Sequence, residues 1–390
     1  MPFICPRRVA ALPIISLLGL SACGTESAPM GTGSESDETS ASDASSGSDG
    51  EGSTAESTSA SESTGDGDGD GETTTGDGDG DATTGDGDGD GDTYEEVNVY
   101  LSGHSLFNLE MPRYLAQVAE AHGKTHRYNL QMGIGSNMSW RLSGEGSEQD
   151  RDGNAMTYYV GDEIAQANTI EAPSYDALMV TEAVDVFDHL QWSDSIGNLG
   201  VYYDFLVDVA PEARVFFYDS WDSVETGGGS YSSWVAHTRS EYPIWHCIIV
   251  AANDDPERAT NPIAPIPGGV LLADIVELAE SGGIAGLGGA DFFSEDGHHL
   301  SALGNYVVAL GQYSVLYGES VLGSPSQLPG LNQAVQVPSA SVDALHAAVD
   351  DAIDAFEAAT ATPPTKANCN AELKAHCQTA GCEAQIDDWF

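Results

Sequence analysis

Basic side chains are scarce in this 390-residue chain: 12 Lys and Arg stand against 62 Asp and Glu, a formal net charge of -50. Such a surface repels a phosphate backbone, which makes nucleic acid and anionic membrane surfaces poor partner candidates and leaves neutral or cationic substrates and divalent cations. Aromatic residues are absent from Gly24 to Thr93, and that stretch has no aliphatic residue larger than alanine apart from Pro29 and Met30, so nothing in it can build a core. Its acids inflate the net charge, yet from Tyr94 onward the acids still exceed the bases by roughly thirty. A general solubility or salt adaptation accounts for that surplus without a specific cation site. Long apolar runs are missing too. Val9 to Leu20 offers about twelve residues, too few to span a bilayer core of roughly 30 Å as a helix.

That short run follows Arg7 and Arg8, so the first 22 residues read as a signal peptide. Leu20-Ser21-Ala22-Cys23 resembles the lipobox of bacterial lipoproteins, in which small residues fit the signal peptidase and the cysteine thiol receives the lipid. An ordinary signal peptide with a coincidental cysteine is the plainer alternative. On the lipobox reading the mature chain starts at Cys23 and is anchored by several acyl chains, each buried CH₂ contributing about 0.8 kcal/mol. Gly24 stands where an Asp would direct retention at the inner membrane, so the resemblance to Gram-negative lipoproteins implies the outer membrane. Residues 23–93 then form an acidic, disordered linker. Its end carries near-repeats of Gly-Asp pairs, Gly65–Asp70, Gly76–Asp81 and Gly85–Asp92. Calcium-binding β-rolls have similar runs but need aliphatic residues at fixed positions, and none occurs here. A Gly-rich chain of about 70 residues has a root-mean-square span near 45 Å, which like-charge repulsion extends.

Cysteine is also sparse. Of six, Cys5 leaves with the signal and Cys23 takes lipid, which leaves Cys247, Cys369, Cys377 and Cys382. They can make two disulfides by any of three pairings, as suits an oxidising compartment. The spacing of the last three matches no common zinc pattern, and His376 does not complete one, so no metal or cofactor is expected.

Residues 94–326 read as one domain of ordinary size and 327–390 as a cysteine-containing helical tail. Apolar runs at Val97–Leu101, Ala177–Val180, Arg214–Tyr218 and Ile263–Ile266 suit buried parallel strands. Between them lie helix-like segments at Pro112–His122, Leu199–Ala210 and Val270–Ala279. This alternation predicts an α/β fold with a central parallel sheet covered on both faces, where reactive groups gather beyond the carboxyl ends of the strands. In the tail, Ser341 is placed to cap a helix through Glu357 whose Val342, Leu345, Val349, Ile353 and Phe356 share one side. That helix either packs on the domain or forms a small appendage stapled by cystines.

Two short motifs carry chemistry. The first strand runs into Gly103-His104-Ser105-Leu106, a turn that exposes a serine near helix N-terminal amides. Far downstream, in Asp296-Gly297-His298-His299-Leu300, an Asp three residues before a His can orient the imidazole while its other nitrogen faces a serine. In this order the motifs resemble the SGNH (GDSL-type) hydrolase family over most of Val97 to Tyr317. The resemblance implies a three-layer, flavodoxin-like SGNH hydrolase fold and a serine esterase. Ser105 maps to the nucleophile, His299 to the base and Asp296 to the acid that orients it, with His298 only linking them. Gln131 to Trp140 occupies the place of the second block, where Gly135, with Gly133 as runner-up, matches the oxyanion glycine and Asn137 is a further donor.

The sequence departs from that family twice. His104 stands where the first block has Asp. The strand Ala177–Val180 is followed by Thr181-Glu182-Ala183 where the third block places an oxyanion Asn, and an ionised Glu182 would oppose the developing charge. Loss of one such donor typically costs about 2.7 to 4 kcal/mol. Asn253, in Ala251-Ala252-Asn253-Asp254, is a late substitute. Trp192, Trp221, Trp234 and Trp245 are either core or the lining of a sugar-binding cleft. The expected substrate is an ester-bearing small molecule or acetylated polysaccharide at the cell surface. The alternatives are an O-acyltransferase, in which a sugar hydroxyl replaces water, and a catalytically silent carbohydrate-binding or adhesion lipoprotein on the same fold.

Overall fold

The computed structural model describes residues 94–143, 148–149, 175–379 and 381–390. The expected signal peptide, Cys23 and the acidic linker lie outside the described residues. Five strands run parallel: β1 (Glu96–Gly103), β2 (Thr125–Gly133), β4 (Ala177–Val180), β5 (Arg214–Tyr218) and β6 (Ala264–Ile266). The two-residue β3 (Glu148–Gln149) adds antiparallel to β2, giving the order β3-β2-β1-β4-β5-β6. The chain therefore starts in the middle of the sheet, moves out to one edge and returns to the other side of β1. The strand order reverses between β1 and β4, the place where open α/β sheets form a crevice at their carboxyl ends.

Strand side chains alternate between two cores. Val97, Val99 and Leu101 of β1, Ala177 and Met179 of β4, and Phe216 and Tyr218 of β5 enter one; Tyr100, Leu178, Val180, Val215 and Phe217 enter the other. Being apolar on both faces, these strands suit a sheet covered on both sides. The first core is closed by α1 (Glu110–Ala121), α6 (Gly269–Glu280), α7 (Ala302–Tyr317) and α8 (Val342–Thr360). The second is closed by α2 (Met138–Ser143), α3 (Val186–Trp192), α4 (Ser195–Val207), α9 (Lys366–Ala375) and α10 (Cys382–Trp389). The helix α5 (Tyr231–Ala252) serves both, with Trp234 and Val235 in the first and Ile244, Trp245 and Ile248 in the second.

Among the elements that escape the sequence pattern, two do so for clear physical reasons. The amino-terminal half of β2, Thr-His-Arg-Tyr-Asn, is partly exposed and polar, so only Leu130 and Met132 supply a core signal. Helix α5 holds Pro243 in its interior, a residue that removes one i→i−4 hydrogen bond and reads as a helix breaker.

The tail belongs to both cores. Leu345, Val349 and Ile353 of α8 pack into the first, and Cys369, Leu373, Cys382 and Ile386 into the second. Ser341 precedes α8 but does not cap it with its hydroxyl, which donates instead to the Ala285 carbonyl at 2.7 Å. Of the three possible cystine pairings the structure forms Cys247–Cys369 and Cys377–Cys382. The first closes a separation of 122 residues and ties α9 to α5; the second closes only 5. Loop-closure entropy therefore predicts that Cys369→Ala costs about 4 to 5 kcal/mol and Cys382→Ala about 2 kcal/mol. Urea unfolding midpoints measure both, and the reverse ranking would refute the entropic account.

Candidate active site

The serine turn is set by packing at the end of β1. A Cβ on Gly103 would fall 2.2 Å from the Phe107 ring, so only glycine lets that ring close over the strand end. The Phe107 amide donates to the His104 carbonyl at 2.9 Å, closing a turn that holds Ser105, half-buried, just beyond β1. Asn108 follows at φ 38°, and its Oδ1 accepts from the amides of Glu110 and Met111 at 2.7 and 3.1 Å, which caps α1.

The downstream motif forms a second turn. Gly297 adopts φ 63°, a left-handed conformation that glycine tolerates without strain. The reversal lets Asp296 Oδ1 accept from the amides of His298 and His299, both at 3.0 Å. Asp296 Oδ2 lies 2.6 Å from His299 Nδ1, and His299 Nε2 lies 3.0 Å from Ser105 Oγ. The carboxylate can only accept, so Nδ1 carries the proton and Nε2 accepts from the serine hydroxyl. Burial alone would raise Asp296, but hydrogen bonds from the His299 ring and the two amides outweigh it and hold the carboxyl at about 2. The side chains of His299 and Asp296 are 43% and 50% exposed, so the relay lies open at the surface.

Other contacts fix the two turns relative to each other. Asn108 Nδ2 donates to Asn305 Oδ1 at 2.6 Å, and Asn305 Nδ2 donates to the Ser301 carbonyl at 2.9 Å, which bridges the starts of α1 and α7. From the β5–α5 segment, Trp221 Nε1 donates to the His298 carbonyl at 3.0 Å and the Val224 amide to the Gly297 carbonyl at 2.8 Å. The His298 ring stands at 80° to that of His299 and stays out of the relay, as its linking position implied.

His104 is buried and joins the serine turn to the β4 end. Its Nε2 lies 2.9 Å from the Glu182 carbonyl, and its Nδ1 accepts from the Leu106 amide at 3.4 Å. Burial, reinforced by the nearby Arg141 cation, drives this histidine down to about 3, so its ring is neutral. A histidine depressed in the folded state contributes stability that is complete above its ordinary value of 6.5 and is lost as pH falls towards 3. The His104→Gln variant should therefore show a flatter fall in unfolding free energy between those pH values. Denaturant titrations at stepped pH test this, and an unchanged slope would rule out His104 as a source of acid sensitivity.

Glu182 does not present a carboxylate in the way the sequence suggested. Its Oε1 accepts from the amides of Met138 and Ala183 at 3.0 and 2.8 Å, and its Oε2 from Ser195 Oγ at 2.7 Å. The side chain thus ties together the starts of α2 and α4. Beside it lies Arg141, fully buried, which no motif or spacing marks as special. Its Nε donates to Ser102 Oγ at 3.0 Å, its Nη1 to the Ser136 carbonyl at 2.8 Å and hydroxyl at 3.1 Å, and its Nη2 to the Thr181 carbonyl. One guanidinium therefore connects the carboxyl ends of β1, β2 and β4.

The remaining oxyanion candidates divide. Gly135 follows β2, which pairs in parallel register beside β1, and adopts φ 65°. Gly133 has a packing role, since a Cβ there would meet Ser136 Oγ at 2.3 Å. Asn137 is engaged elsewhere: its Oδ1 caps α2 through the Trp140 amide at 2.9 Å, and its Nδ2 donates to Ser193 Oγ at 3.2 Å. Asn253 exchanges hydrogen bonds with the Ile263 backbone at the amino end of β6, opposite the end that carries Ser105, and this excludes it from the site. Trp221, Trp234 and Trp245 are core residues, whereas Trp192 is 73% exposed.

No protein-family profile and no curated protein matches the sequence. Solved structures similar to it include a DUF4886 family protein from Bacteroides uniformis at 15% identity and TM-score 0.44, covering 66% of this chain and 95% of that one. A putative GDSL-like lipase from Parabacteroides merdae is similar at 13% identity and TM-score 0.36, covering 58% of this chain and 98% of its own. The periplasmic domain of a lipopolysaccharide acetyltransferase from Salmonella serovar Paratyphi A is similar at 12% identity and TM-score 0.33, covering 57% and 84%.

Proposed function

We propose that this chain is an SGNH-type serine hydrolase that cleaves acyl esters, with Ser105 as nucleophile, His299 as general base and Asp296 orienting the imidazole. The observation that carries this reading is the continuous relay from Asp296 through His299 to Ser105, at 2.6 and 3.0 Å, assembled from segments 194 residues apart. In the first step Nε2 of His299 takes the Ser105 proton while Oγ bonds to the ester carbonyl carbon. The backbone amides of Ser105 and Gly135 receive the oxyanion; Asn137, tied to Ser193, is left out of that role. Collapse breaks the bond to the leaving alcohol, which takes the proton from His299. Water, deprotonated by the same imidazole, then frees the acid from the acyl-serine.

The open relay favours a short acyl group, such as acetyl, on a bulky neutral carrier such as a polysaccharide; a sugar hydroxyl in place of water would make the same site an acyltransferase. The acidic surface argues against anionic carriers. A lipid at Cys23, with a linker of about 70 residues, would place the domain clear of an outer membrane. Among the described residues no helix is long and apolar enough to cross one.

A fluorophosphonate probe tests the reading. Folded wild-type protein should be labelled on Ser105 and should hydrolyse p-nitrophenyl acetate, and Ser105→Ala should do neither. A folded wild type that resists labelling would replace the enzyme with a binding module, and full activity in Ser105→Ala would discard the nucleophile.

A further inference from the structure

Behind the histidine turn, the β5–α5 segment and α5 bring together three side chains outside the relay. His237 and Glu241 are four residues apart on α5 and so share one face of it. Asp222 precedes that helix, and its backbone carbonyl is fixed by Trp234 Nε1 at 2.8 Å. His237 Nε2 lies 3.0 Å from Asp222 Oδ2 and 3.5 Å from Glu241 Oε2, and one donor atom from each residue lies within 4.8 Å of the other two. Ligands held at 2.0–2.1 Å by a tetrahedral ion sit about 3.3 Å from one another, so small side-chain adjustments suffice for all three to share one ion.

A separate feature also points to a cation. Asp185, Asp222 and Glu241 line one small recess. Among the described residues the Asp222 and Glu241 carboxylates are ion-paired only with His237, and no lysine or arginine pairs with Asp185. The recess is therefore short of positive charge, and a small dication would supply it.

We infer that Asp222, His237 and Glu241 bind a divalent cation of the zinc class. One imidazole and two carboxylates, with a fourth position for water or Asp185, are donors suited to Zn²⁺. The ion would pin the segment whose Trp221 and Val224 hold the backbone of His298 and Gly297, so its role is to brace the histidine turn. This inference does not require the esterase reading.

The test uses full-length, untagged protein stripped with a chelator and titrated with Zn²⁺ by calorimetry at pH 7.5, with Co²⁺ as a spectroscopic substitute. One equivalent should bind, the Tm should rise by about 5 °C or more at 100-fold excess over Kd, and Co²⁺ should give the strong visible bands of tetrahedral coordination. His237→Ala and Glu241→Gln should each weaken binding at least roughly 100-fold while leaving the metal-free circular dichroism unchanged. If His237→Ala does not fold, the near-isosteric Glu241→Gln decides. Absence of micromolar binding in the wild type, or equal affinity in the folded variants, overturns the inference.

Discussion

Replacing His299 with alanine is expected to lower kcat/KM for a short acyl ester by about 10⁴-fold or more, with KM little changed. The ring touches Ser105 Oγ at 3.0 Å and is the only base the relay presents to the hydroxyl. Adding Ser105→Ala to the same chain should cost almost nothing further, because members of one proton relay act as a unit. Asp296→Asn should lose less than His299→Ala, since it keeps the shape of the turn and removes only the charge that orients Nδ1. Steady-state kinetics on the wild type, these variants and Ser105→Ala alone measure the pattern. If the two losses multiply, the side chains act independently and the relay is not the catalytic unit. The carboxyl of Asp296, held at about 2, contributes stability that is present above its ordinary 3.8 and is lost as pH falls towards 2. Its side chain is half exposed, so solvent screening keeps that contribution small.

Arg141→Ala is expected to cost about 3 to 5 kcal/mol of stability, with a fall in Tm on the order of 10 °C. The argument is one of unmet hydrogen bonds: the guanidinium satisfies Ser102 Oγ, both oxygens of Ser136 and the Thr181 carbonyl in a fully buried space. Deleting it strands those acceptors where water cannot replace it, and each buried unsatisfied group costs about 1 to 3 kcal/mol. Arg141→Lys should recover only part of the loss, because one ammonium on a single stem cannot reach three strand ends with a planar fork. Thermal and urea unfolding of both variants gives the answer. A loss below about 1 kcal/mol for Arg141→Ala would mean that water or a neighbour takes over the network.

The legible parts of this molecule are those whose signal is local. The strands Ala177–Val180 and Arg214–Tyr218 fall where apolar runs place them, because a strand buried on both faces has few polar residues to blur it. The Asp296–His299 pair is likewise local: three residues and one glycine turn are enough to seat the ring on the carboxylate. The second strand was hidden because half of it faces solvent, and Arg141 was hidden because a lone arginine in a short helix looks like a surface residue. Glu182 misled for a related reason. Its sequence position suggests a charge facing the reaction, whereas the Ala183 amide and donors at the starts of α2 and α4 turn it inward.

By itself the sequence determined which chemistry is available and on which turns it sits, since the Gly103–Leu106 and Asp296–Leu300 motifs are short-range patterns that a local backbone can fulfil. It also determined an alternation of elements that admits little besides a covered parallel sheet. Only the tertiary structure decided that the hydroxyl and the imidazole meet, that Asn108 and Asn305 clasp their turns together, and that Asn253 lies at the wrong end of the sheet. Those outcomes depend on strand order, through which contacts between residues nearly two hundred positions apart are made, and strand order leaves no mark on the spacing of residues along the chain.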